Sequence, residues 1–108
     1  MISSDVIRGY NDLFILRILF DGESYGYEIG KKISQLTNGQ YIIKETTLYS
    51  AFTRLSKAQY IESFPGTETN GRKRTYYRLT PSGKDALYQK LKEWSLTKEV
   101  IEQIIKGA

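Results

Sequence analysis

The chain has 108 residues, enough for one domain with a modest core, and its 40% hydrophobic content with 13% aromatics marks it as globular, not disordered. It contains no Cys and no His, which excludes disulfides, thiolate and imidazole metal sites, and every catalytic triad built on an imidazole base. Sixteen Lys and Arg against twelve Asp and Glu give a net charge of +4, which permits nucleic acid without selecting it, so the placement of the charges has to decide.

Ser3, Ser4 and Asp5 offer N-caps for a first helix that runs to about Phe20 and stops at Asp21-Gly22. Val6, Ile7, Tyr10, Leu13, Phe14, Leu16, Ile18 and Leu19 cover more than one of its faces. Such a helix is sandwiched between other elements, a second subunit among them. Its apolar stretch from Leu13 to Phe20 is interrupted by Arg17, is too short to span a bilayer, and has neither a basic leader nor a cleavage site. The expectation is a cytoplasmic protein with no membrane partner.

A second helix is predicted from Ser24 to Thr37, closed by Asn38-Gly39, with Tyr25, Ile29, Ile33 and Leu36 inward and Lys31 and Lys32 outward. Tyr27 with Lys31, and Tyr88 with Lys92, match a Tyr-x-x-x-Lys spacing of some dehydrogenases. No Gly-rich strand–helix turn for a dinucleotide accompanies either, so no cofactor is expected. Gln40 to Ile43 reads as a short extended connector.

The third helix, Glu45 to Lys57, carries the functional signal. Leu48, Ala51, Phe52 and Leu55 fall on one face, and Thr46, Tyr49, Ser50, Thr53, Arg54 and Lys57 on the other. An ordinary solvated face is rich in Glu and Lys, whereas this one offers hydroxyls, an Arg and a Tyr, with no carboxylate after Glu45. Such groups hydrogen-bond phosphates and base edges, and an acid there would repel DNA. The plain alternative is an amphipathic helix with a polar outer face. Its N-cap lies between Lys44, a poor cap, and Thr46.

Two alternating strands follow, Tyr60 to Phe64 and Arg74 to Leu79, joined through Pro65-Gly66 and Asn70-Gly71. Arg72, Lys73, Arg74 and Arg78 lie in a stretch without an acid from Glu68 to Asp85. A basic hairpin tip of this kind can enter a groove of DNA. Edge protection of a solvated ribbon is the alternative.

Thr80-Pro81 starts the last helix, which extends to about Lys106, some 26 residues or ~39 Å. Leu87, Trp94 and Ile101 recur at intervals of seven, with Leu91, Thr97, Ile104 and Ile105 on the same side. That apolar seam is longer than a core this small can cover, so Leu87, Leu91, Trp94, Ile101 and Ile104 are expected to bury against a second copy.

Three helices, a basic hairpin and a long terminal helix describe a mostly α fold with a small β-hairpin wing (α+β). It is a winged helix-turn-helix over 1–79, plus a dimerisation helix over 80–108 packed as one unit with it. Tyr25-Gly26-Tyr27-Glu28-Ile29, Thr47-Leu48-Tyr49 with Arg54-Leu55, and Gly71 to Thr80 with Gly83 resemble the PadR family of bacterial transcriptional regulators. The single C-terminal helix is similar to the short subfamily. The resemblance implies that Thr46, Thr47, Tyr49, Ser50, Thr53 and Arg54 enter the major groove, and that the wing residues Asn70, Gly71, Arg72, Lys73 and Arg74 reach the minor groove or its phosphates. Many relatives have Pro after the Leu-Tyr pair where this chain has Ser50. Trp94 matches a Trp of multidrug-sensing short members that stacks on flat aromatic ligands at the dimer interface; packing in the seam is the alternative role.

The resulting expectation is a homodimeric repressor that reads palindromic double-stranded DNA and is released by a planar aromatic small molecule. A winged-helix protein-interaction module without ligand sensing is the second reading, and it would need an apolar outer face on the third helix or the wing. No enzyme is expected, because a phosphate-cradling Gly loop and paired carboxylates are missing along with His and Cys. No RNP-type aromatic strand motif is present for RNA.

Overall fold

In the computed structural model, which describes residues 2–66 and 71–107, Ser3 opens the first helix by accepting the Asp5 N–H on its Oγ at 3.2 Å. The single helix expected from here to Phe20 is broken. Helix α1 (Ser4–Ile7) gives way to a 3₁₀ turn over Arg8–Tyr10, and α2 (Asn11–Phe20) starts afresh. Gly9 lies in that turn, and in an α-helix interior Gly costs about 1 kcal/mol relative to Ala. The tightened turn brings the Tyr10 ring edge-on to Trp94, with centroids 5.4 Å apart.

Ser24 and Tyr25 do not open the second helix. They form a short strand, β1 (Ser24–Tyr25), paired antiparallel with Tyr77 and Tyr76, and α3 (Gly26–Leu36) begins after it. The helix ends where Asn38-Gly39 turns left-handed, Asn38 at φ 52° and Gly39 at φ 76°. Ile29 and Ile33 are buried as the stripe predicts, but Leu36 is 69% exposed because no element among the described residues covers the end of that face.

Helix α4 (Glu45–Lys57) buries Leu48, Ala51, Phe52 and Leu55. It stops with Gln59 at φ 63°, and the Tyr60 N–H closes the turn onto the Leu55 carbonyl at 3.0 Å. Strands β2 (Ile61–Pro65) and β3 (Thr75–Leu79) form the hairpin, in a register from Ile61 opposite Leu79 to Pro65 opposite Thr75. With β1 on the far side of β3, the wing is a three-stranded sheet of order β1-β3-β2.

Helix α5 (Pro81–Gly107) is capped as the Thr-Pro pair predicts, the Gly83 N–H donating to Thr80 Oγ1 at 3.0 Å. Thr80 Oγ1 in turn donates to the Gln59 carbonyl at 2.7 Å. Gly83 is needed here because a Cβ would lie 2.0 Å from the Tyr60 carbonyl oxygen.

Helix α2 runs through the middle of the molecule, against α3, α4, α5 and β3. Ile15 and Leu16 meet Ile29, Phe52, Leu55 and Ile61 in one core. Leu87 joins them at 1% exposure, which corrects its assignment to a dimer seam: the first turns of α5 lie on the chain's own core and leave Leu87 no surface to offer. The apolar residues exposed on this helix begin at Tyr88 and Leu91. Among the described residues no helix is long and apolar enough to cross a membrane, and no cluster of His, Cys, Asp or Glu could hold a metal ion.

Candidate nucleic-acid interface

The outer face of α4 is uncovered. Thr46, Tyr49, Ser50, Thr53 and Arg54 are exposed and Thr47 is half-buried, opposite the four core residues. The N-cap is Lys44, whose side chain makes no capping bond, so the Thr46 hydroxyl is not engaged as a cap. Thr53 is partly committed, its hydroxyl donating to the Tyr49 carbonyl at 3.1 Å.

Tyr49 is 46% exposed, neither free nor core. Its ring meets Phe52 edge-on at 5.5 Å, and its hydroxyl sits over Gly26 at the start of α3, where a Cβ would come within 2.6 Å of the oxygen. Phe52 in turn stacks on Tyr77 of β3, with centroids 4.2 Å apart and planes at 22°. Burial, followed by the nearby Tyr49 hydroxyl, raises the pKa of Tyr77. One aromatic row thus runs from the α4 face to the middle strand of the wing.

Arg54 is exposed but not free. Its Nε donates to Asp12 Oδ2 at 3.1 Å and its Nη2 to Oδ1 of the same carboxylate, which raises the guanidinium pKa. Asp12 comes from the first turn of α2, forty-two residues earlier, and no local pattern announces it.

The wing holds fewer available cations than its sequence suggests. Arg78 is bonded across the strands to Glu62 at 2.7 Å and lies over the Phe64 ring at 4.7 Å. The hydrogen bond to Glu62 is the main reason its pKa is raised. Arg74 is half-buried, its guanidinium 5.0 Å over the Tyr25 ring and its Nε without a hydrogen-bond partner among the described residues. Its carbonyl accepts the Gly66 N–H at 2.8 Å and closes the base of the hairpin. Arg72 and Lys73 are exposed, and among the described residues they join no ion pair. Gly71 turns with φ 76°, and Asn70 lies outside the described residues.

A second feature lies between α2, α3 and α5, where an open apolar groove of about 640 Å³ is lined by Phe14, Leu36, Tyr41, Leu91 and Trp94 among others. Trp94 is 41% exposed there, and Leu91, Ile101 and Ile104 are exposed along the same helix.

The sequence profile described as the transcriptional regulator PadR-like family matches residues 15–89. The chain belongs to the PadR-like family. A transcriptional regulator from Clostridium thermocellum is 58% identical, with a TM-score of 0.87 over 95% of this chain and 97% of that one. An uncharacterised protein of Lysinibacillus sphaericus is 46% identical over 99% of this chain and 98% of its own length. Bacillus subtilis PadR, solved in complex with operator DNA, is 25% identical, with a TM-score of 0.66 over 74% of this chain and 46% of that one. Membership sets this PadR-like chain among transcriptional regulators and not among enzymes. The matched span takes in α4 and the wing and stops before Leu91 and Trp94, so the groove face of α5 lies outside it.

Proposed function

We propose that this PadR-like protein is a homodimeric repressor that reads a palindromic duplex with the outer face of α4 and braces on the flanking backbone with its wing. The observation that carries the reading is the outward face of Thr46, Tyr49, Ser50 and Thr53, with Thr47 half-buried at its edge, backed by the buried Leu48, Ala51, Phe52 and Leu55. Hydroxyls that donate and accept suit base edges and phosphates alike. Arg72 and Lys73 supply the charge for backbone contacts, and the operator complex of Bacillus subtilis PadR supports the same use of the fold. In this division residues 1–79 bind DNA and 80–108 assemble the dimer, with the first turns of α5 shared between them. A DNA-reading role implies a cytoplasmic protein.

Leu91, Trp94, Ile101 and Ile104, exposed on one chain, are the side chains we assign to the second copy. The groove beside Trp94 would take a planar aromatic molecule whose binding loosens DNA. An interaction module is the weaker alternative, because the α4 face presents hydroxyls and no apolar patch.

A salt titration tests the reading. Duplex DNA bearing a sequence enriched from a random pool should bind more tightly than random duplex, and both more tightly than single-stranded RNA. Sedimentation of the free protein should give about 25 kDa, twice the 12.5 kDa of one chain. Equal binding of all three nucleic acids, or a monomer that retains tight palindrome binding, would overturn it.

A further inference from the structure

Tyr10, Asn11 and Asp12 are consecutive at the step from the 3₁₀ turn into α2, and each holds a different element. Tyr10 meets Trp94 of α5. Asn11, 3% exposed, accepts the Tyr41 hydroxyl on Oδ1 at 2.6 Å. Asp12 receives the two-pronged Arg54 guanidinium. Tyr41 is also tied by its backbone N–H to Thr37 Oγ1 at 3.2 Å, so the connector into α4 is clamped between the end of α3 and the start of α2. The entry of α4 and its last turn are therefore both referred to one point on α2.

We propose that Arg54 and Asp12 are positioning residues of the DNA-reading helix: Arg54 acts through its carboxylate partner, setting the roll of α4, and not through a phosphate or a base. This rests on the DNA-reading role proposed above. Three arguments support it. The fork contact fixes a direction as well as a distance, which a Lys or a single bond would not do. Arg54 sits in the last turn of α4, whereas helix-turn-helix recognition helices reach base edges mainly from their N-terminal residues. A phosphate approaching Arg54 would also meet the Asp12 carboxylate, and like charges at that range repel. Arg72 and Lys73 carry no such acid among the described residues.

The test uses the full chain and a duplex enriched from a random pool by the wild type, with a scrambled duplex as reference. Asp12→Ala and Arg54→Ala should each lower the enriched-over-scrambled ratio by roughly tenfold, and the double variant should be no worse than either, since both remove one contact. The slope of log affinity against log salt should stay unchanged. The exchanged pair, Asp12→Arg with Arg54→Asp, should recover part of the ratio. If it folds poorly, the two single variants and the double decide alone.

An Arg54→Ala slope that falls by about one for each protomer engaged, with random DNA weakened too, would make Arg54 a phosphate ligand and overturn the inference. So would an Asp12→Ala variant that binds more tightly, or single variants that leave the ratio unchanged. A wild type that enriches no sequence would overturn the DNA reading itself and this inference with it.

Discussion

Tyr49 touches the α3 start through Gly26, the core through Phe52, and solvent through half its surface. That mixed setting changes what its removal should do. A fully exposed Tyr would cost little on truncation, but edge-on packing against Phe52 adds to the loss. Tyr49→Ala is therefore expected to lower stability by about 1–2 kcal/mol in a denaturant titration while reducing specific DNA binding. A larger collapse, or a stability loss without a DNA effect, would make Tyr49 a core residue. Gln59 offers the opposite case. Its φ of 63° is strained for a side chain, yet among the described residues only its backbone is engaged: the N–H donates to the Ser56 carbonyl at 3.0 Å, and the carbonyl accepts from Thr80 and from Ser82 at 2.9 Å. Gln59→Gly should then stabilise by up to about 1.5 kcal/mol, the about 1–2 of left-handed strain less about 0.5–1 for added flexibility. A lowered melting temperature would mean that the Gln59 side chain contributes something beyond its backbone turn.

At the scale of elements, the wing is the part whose charge and role diverge. Arg78 and Arg74 brace the sheet through Glu62, Phe64 and Tyr25, which leaves Arg72 and Lys73 as the outward cations. Replacing those two with Ala should flatten the salt dependence of DNA binding by about two for each protomer engaged, on specific and random duplex alike. Arg74→Ala should instead loosen the hairpin base; a slope change of about one for each protomer engaged from Arg74→Ala alone would show it reaching phosphate despite Tyr25.

The same elements explain how far the sequence could be read. Helix α4 was legible because four apolar residues repeat at helical spacing and all four are buried. The candidate face followed from that period. Strand β1 was not legible, since two residues carry no alternation and its partner strand lies some fifty residues on. Arg54 could be placed on the polar face but not paired with Asp12, because ion pairing between elements has no local spacing. Leu87 fits the heptad of α5, and periodicity alone does not say whether the cover comes from the same chain or another.

The whole molecule poses that question most sharply at Trp94. Its indole lies between the Tyr10 ring at 5.4 Å and an open apolar groove of about 640 Å³, large enough for a drug-sized ligand. Tyr41 lines the same groove and leads into α4 three residues before its cap, so a molecule seated there would press on the connector that positions α4, the helix proposed to read DNA. Because the chain has one Trp, its fluorescence reports on this site alone. Titrating a planar cationic dye into the protein should quench that signal at micromolar concentration, and stacking with cation–π attraction should contribute on the order of 1–2 kcal/mol per ring. Trp94→Ala should abolish dye binding while sedimentation still gives the proposed dimer, since the Leu91, Ile101 and Ile104 assigned to its seam remain. The dye should also weaken duplex binding, and duplex should weaken dye binding by the same factor, as linkage between two sites requires. An unquenched Trp94, or a Trp94→Ala variant that falls apart into monomers, would assign the indole to packing between chains and leave the groove without a ligand role.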